Sequence, residues 1–107
     1  QFTIGYDPLT KTVASFTGPN LNVYNASFFN IAVPSAQNLD TISGGFVGAR
    51  VTIFCSTVTF ALTVRSESVS GGNIRLINNS TQALQFGTST QALTLVRSSD
   101  GYWYQAS

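Results

Sequence analysis

The chain carries four carboxylates, Asp7, Asp40, Glu67 and Asp100, one thiol, Cys55, and no histidine. Acid–base cleavage of a glycoside needs two carboxyl groups facing each other across the bond. These four are spread along the chain, and their spacing pairs none of them. Three lie in or beside turn-like segments, where Asp commonly caps backbone amides. Without histidine, the commonest general base and metal ligand is missing, and a Ser-His-Asp triad within one chain is excluded. Cys55 lies in the apolar run VTIFCS with no cationic neighbour in sequence, which fits a buried small hydrophobe better than an activated thiolate. GGFVGAR has glycines at 44, 45 and 48 but neither the G-x-G-x-x-G spacing nor the lysine of a phosphate loop. It reads as a turn leading into a strand. The acidic cluster of a calcium loop is also missing. The expectation is a chain with no catalytic set, no metal and no cofactor.

Sugar recognition is the chemistry that remains. Flat aromatic faces with short neutral hydrogen-bonding side chains suit a ring that has apolar faces and hydroxyl edges. Tyr6, Tyr24, Tyr102 and Tyr104 are the candidate glycan-binding residues, and Ser, Thr, Asn and Gln make up 40 of 107 residues. Charged residues are only 8%, against about 25% in ordinary domains. With a net charge of +1 and Lys11, Arg50, Arg65, Arg75 and Arg97 scattered, no field steers a phosphate backbone, so nucleic acid is not an expected partner. No apolar run reaches the roughly 18 residues of a membrane-spanning helix.

The elements that must position these residues read as strands. β-branched and aromatic residues dominate, and no convincing stretch repeats apolar residues at helical spacing. VTFALTVRS alternates, placing Val58, Phe60, Leu62 and Val64 on one buried face. ARVTIFC puts Val51, Ile53 and Cys55 on one side and Phe54 on the other. NIRLI, ALQF, ALTLV and YWYQ follow, separated by turn signals at 71–73, 78–80, 87–89 and 100–101, about 9 to 10 residues apart. The first half is looser. FTIGY and KTVASFTG read as a hairpin or two strands around Asp7-Pro8, LNVYNASFFNIAV as one long strand or two, and DTIS as a short strand within a loop. No linker divides residues 1–107, so one domain with one core is expected. The fold class is all-β, with short antiparallel strands in a sandwich, prism or solenoid-like module. A high apolar content on so few charges predicts a homo-oligomer that hides apolar surface between chains.

The second half has a recognisable cadence. LDTISGGFVGARVTIFC leads to VTFALTV, GGNIRLI, LQFG and ALTLVRSSDGYWYQAS. This resembles the C-terminal modules of phage tail spikes and tail fibres. The matching residues are Leu39, Ile42, Gly44, Gly45, Gly48, Val51, Ile53, Val58, Thr59, Asn73, Ile74, Leu76, Leu93, Thr94, Leu95, Trp103, Tyr104 and Ser107, with Gln105 where an acid is frequent. The resemblance covers residues 39–107; residues 1–38 are additional strands without a match. It implies a non-enzymatic homotrimer on the virion surface, outside the cell, capping a fibre and in some cases contacting host polysaccharide or lipopolysaccharide. The alternative of another class is a monomeric carbohydrate-binding β-sandwich from a secreted enzyme. A fragment of a glycan lyase or hydrolase ranks third, because the acids are unpaired.

The chain ends on SSDGYWYQAS, which reads as the second half of a hairpin begun by ALTLVR. A two-residue Asp100-Gly101 loop pairs Ser98 with Trp103 and turns the indole away from Leu93 and Leu95. A three-residue loop with Gly101 left-handed pairs Arg97 with Trp103 and buries it with them. Burial favours the second by about 2 kcal/mol or more. The expected core and assembly residues are thus Trp103, Leu93, Leu95, Val58, Phe60 and Leu62. Tyr102 and Tyr104 then face solvent, a neighbouring chain or a sugar.

Overall fold

The computed structural model describes residues 10–24 and 26–106. Runs of three to six alternating residues give the strands β1 (Thr10–Val13), β2 (Asn20–Asn22), β3 (Phe28–Ile31), β4 (Gln37–Leu39), β5 (Thr41–Ser43), β6 (Arg50–Cys55) and β7 (Leu62–Arg65). A single helical turn, α1 (Glu67–Ser70), follows. The chain continues through β8 (Ile74–Arg75), β9 (Thr81–Leu84), β10 (Ala92–Arg97) and β11 (Trp103–Gln105). The expected hairpin of FTIGY with KTVASFTG falls partly on residues outside those described; its second half begins with β1, which pairs parallel with β3.

The strands form three sheets, ordered β1-β3-β6-β10-β11-β8, β2-β5 and β4-β7-β9. The succession β2, β3, β4 recurs as β5, β6, β7, and each strand lies parallel beside its counterpart. Asn20 opposes Thr41, Phe28 opposes Thr52 and Gln37 opposes Leu62. The chain therefore winds through three walls and returns one coil further on. It then reverses: β9 runs antiparallel to β7, and β10 antiparallel to β6. The expectation of antiparallel strands is corrected to a mixed arrangement. Alternation in sequence sets which side chains face inward but carries no information on the partner strand's direction.

Apolar ladders across these registers make the core. Phe29, Ile53 and Leu93 align across the large sheet, Leu21 with Ile42, and Leu62 with Leu84, all of them buried. Cys55 is a free, buried thiol beside Ile31. Asn73 substitutes for a strand: its side-chain amide donates to the Ile42 carbonyl at 2.8 Å, and its Oδ1 accepts from the Ile42 N–H at 2.9 Å. Buried Ser66 likewise donates from Oγ to the Ile74 carbonyl and accepts from the Leu76 N–H.

Leu62, Leu93, Leu95 and Trp103 are buried. Val58 and Phe60 are not: they are 62% and 42% exposed. The strand expected from Val58 starts only at Leu62. Residues 57–60 form the corner between two walls, where the Phe86 N–H donates to the Thr57 carbonyl and the Gln85 side-chain amide to the Val58 carbonyl. A chain that must change walls cannot keep its alternation through the corner.

Candidate functional site

The C-terminal hairpin has the register that burial of Trp103 demands. Arg97 opposes Trp103, Ser98 donates its N–H to the Tyr102 carbonyl at 2.9 Å, and Gly101 is left-handed at φ +91°. The indole is fully buried, and Gly45 in the turn after β5 lies directly against it. Alternation then sends Tyr102 and Tyr104 to the other face.

There the structure gathers residues that are far apart in sequence. The Arg75 guanidinium, carried by β8 beside β11, lies 3.8 Å from the Tyr102 ring centre and 5.7 Å from that of Tyr104. Arg75 Nη1 donates to the Tyr104 hydroxyl at 3.0 Å, and that hydroxyl donates to Asp100 Oδ2 at 2.7 Å. Asp100 Oδ1 accepts from the Tyr102 N–H at 3.0 Å, and Arg75 Nε donates to Glu67 Oε1 at 3.3 Å. The Tyr104 hydrogen bond, followed by the Tyr102 amide, holds the Asp100 carboxyl below its ordinary 3.8. The same bond to Asp100, with desolvation, holds the Tyr104 phenol above its ordinary 10.0. Two acids that the sequence leaves unpaired, Glu67 and Asp100, thus meet around one arginine. Arg75 bonds Glu67 directly and Asp100 through Tyr104.

Tyr24 is exposed but belongs to the segment after β2, where its backbone abuts Gly44. Tyr6 lies outside the described residues. Of the three candidate tyrosines among the described residues, the structure brings together Tyr102 and Tyr104.

Two features escaped the reading of the sequence. The first is an aromatic strip on the outer face of the large sheet. Phe28 and Phe54 stack with ring centres 6.3 Å apart, and Phe54 meets Phe86 edge-on at 6.0 Å. Phe86 is 45% exposed, and the exposed 57–60 corner adjoins it. The outward position of Phe54 is legible in ARVTIFC; its two partners are Phe28, 26 residues earlier in β3, and Phe86, just beyond the end of β9, and only the tertiary structure joins them.

The second is a cleft of about 290 Å³ where successive coils stack, lined by Gly18, Pro19, Ala36, Gln37, Asn38, Asp40 and Arg65. Arg65 holds Asp40 bidentately, Nε to Oδ1 at 2.7 Å and Nη2 to Oδ2 at 2.6 Å. The register Leu39–Val64 continues by one residue into this pair. The hydrogen bonds to Asp40 hold the guanidinium above its already high ordinary value. A side chain at Gly18 would collide with the Asn38 carbonyl, and one at Gly72 with the Asp40 carbonyl, so glycine is required on both sides of this corner.

Among the described residues no group of three or more His, Cys, Asp or Glu is placed to hold a metal ion, and no helix is long and apolar enough to cross a membrane. Compared with known proteins, the chain matches no family model and no curated protein.

Proposed function

We propose that this chain is a non-enzymatic assembly and distal tip domain of a homotrimeric phage tail spike or fibre, exposed outside the cell and in contact with host polysaccharide or lipopolysaccharide. The observation that carries the reading is the strip Phe28–Phe54–Phe86 with the adjoining exposed Val58 and Phe60. Contiguous outward aromatics of this kind are costly on a free monomer and mark surfaces that another chain covers. The residues expected from sequence to serve the core or the assembly divide accordingly: Leu62, Leu93, Leu95 and Trp103 serve the core, and Val58 and Phe60 the contact between chains. Closing strand edges against neighbouring copies also suits a sheet whose first strand, β1, has one partner among the described residues. A chain with only 8% charged residues adds little repulsion between copies.

Light scattering on the eluting peak tests this. A mass three times 11.4 kDa is expected. Phe54→Glu at the centre of the strip is expected to yield monomer with unchanged Trp103 fluorescence. A mass of 11.4 kDa for the unaltered chain at tens of micromolar, or a dimer, overturns the trimer.

The second reading is a monomeric carbohydrate-binding module. What favours it is the outward Tyr102–Arg75–Tyr104 array, a pre-ordered aromatic surface on the face opposite the core. The mass measurement separates the two.

A further inference from the structure

We propose that the cleft beside Asp40 and Arg65 is a subsite for one neutral hexopyranose unit of a surface polysaccharide. This rests on the reading of the chain as a host-facing tip and moves the sugar contact away from the tyrosines chosen from sequence.

Size sets the first limit. At about 290 Å³ the cleft sits at the lower edge of small-molecule sites, which span roughly 300–1,000 Å³. It has room for one ring, with the rest of a chain running out over the open side. Charge sets the second. The bidentate pair cancels its own charge, so neither an anion nor a cation gains a net partner there. A single carboxylate also falls short of a cation's ligand needs. A ligand that both donates and accepts, without charge, is the best match. Each Asp40 oxygen keeps a further acceptor site after binding Arg65, and the two side chains are 13% and 33% exposed at the cleft. The exposed Asn38 amide offers a donor and an acceptor at the rim. Pro19 and Ala36 supply an apolar patch for the C–H face of a pyranose.

The site is also stiff. Gln37 Oε1 accepts from the Gly18 N–H at 3.0 Å and Gln37 Nε2 donates to Ser35 Oγ at 2.9 Å. The Asp40 and Thr41 N–H groups both donate to the Pro19 carbonyl, at 2.8 and 3.2 Å. Three stretches of chain are thereby locked before any ligand arrives, which lowers the ordering cost of binding. The tyrosine array is less suited: one face of Tyr102 is covered by Arg75, and the Tyr104 hydroxyl already donates and accepts.

Amide-resolved NMR titration tests the assignment on the unaltered chain, with methyl glycosides of glucose, galactose, mannose and rhamnose, and methyl glucuronide as the charged comparison. At least one neutral glycoside is expected to give saturable shifts at Gly18, Ala36, Asn38 and the Arg65 side chain, with a dissociation constant in the millimolar range. The glucuronide is expected to bind more weakly. Asn38→Ala, which removes no side-chain bond among the described residues, should weaken binding about five-fold or more. Asp40→Asn should abolish it. Shifts confined to Tyr102 and Tyr104, tighter binding of the glucuronide, or no saturable shift with any of the neutral glycosides overturns the proposal. Because the oligomer mass is read separately, loss of this site leaves the assembly reading standing, and the two failures are told apart.

Discussion

Replacing Gly45 with alanine separates two effects that the structure places at one residue. Gly45 has φ +81°, and a Cβ there would stand 2.9 and 3.0 Å from Cζ2 and Cη2 of Trp103. Holding alanine in the left-handed region costs about 1–2 kcal/mol. The added carbon also sits well inside the roughly 3.5–4.0 Å at which carbons attract. The fully buried indole cannot swing aside, so an overpacking cost of about 1–3 kcal/mol is added. Gly48 is the internal control: its φ is +88°, and among the described residues nothing lies within 4 Å of a Cβ placed there. Gly48→Ala should therefore lose only the backbone part. With a urea slope near 1.5 kcal/mol per molar, the two midpoints should differ by about 0.7–2 M. Trp103, the single tryptophan, reports both transitions by fluorescence, at one fixed protein concentration because assembly shifts apparent stability. Gly45→Ala should also disturb the native emission, whereas Gly48→Ala should not. Equal midpoints with identical native spectra would refute the contact between the turn and the indole, and with it the register that buries Trp103.

Other expectations follow from the same geometry. Asn73→Ala strips the Ile42 N–H and carbonyl of their partner and should cost about 1–3 kcal/mol; hydrogen exchange at Ile42 should accelerate, and unchanged protection there would contradict the side-chain bridge. Asp100 has a folded-state pKa lowered first by its bond from Tyr104, so its contribution to stability is present above the ordinary 3.8 and is lost as pH falls through the folded value. In Tyr104→Phe the carboxyl should titrate closer to 3.8, as read by carboxyl carbon shifts. The raised Tyr104 phenol gives the opposite sign: its contribution is full below 10.0 and disappears as pH rises through the folded value. Ultraviolet titration of Asp100→Asn should show that phenol ionising at lower pH than in the unaltered chain. Gly72→Ala, which drives a side chain into the Asp40 carbonyl, should loosen the Asp40–Arg65 corner and shift the Arg65 side-chain resonance; an unmoved resonance would argue against the stacked corner.

Composition and alternation determined the strand-rich class, the inward set Val51, Ile53, Cys55, Leu93 and Leu95, and the hairpin that buries Trp103. All of these follow from local rules: a strand has period two, and a left-handed glycine fixes a short loop. The same rules failed at Val58 and Phe60, because alternation persists in sequence through a corner where the backbone changes walls. They also misjudged where order lies. Within the segment from Ile74 onward, regular in sequence, β9 and β10 make the antiparallel return while β8 pairs parallel with β11, and the looser first half supplies most of the parallel coils. Pairing direction is a property of two distant strands, so only the tertiary structure decided it. That decision placed Phe28 against Phe54, Asp40 against Arg65, and Arg75 between Tyr102 and Tyr104. Each of these groupings joins residues that no local pattern relates, and each depends on which coil lies beside which.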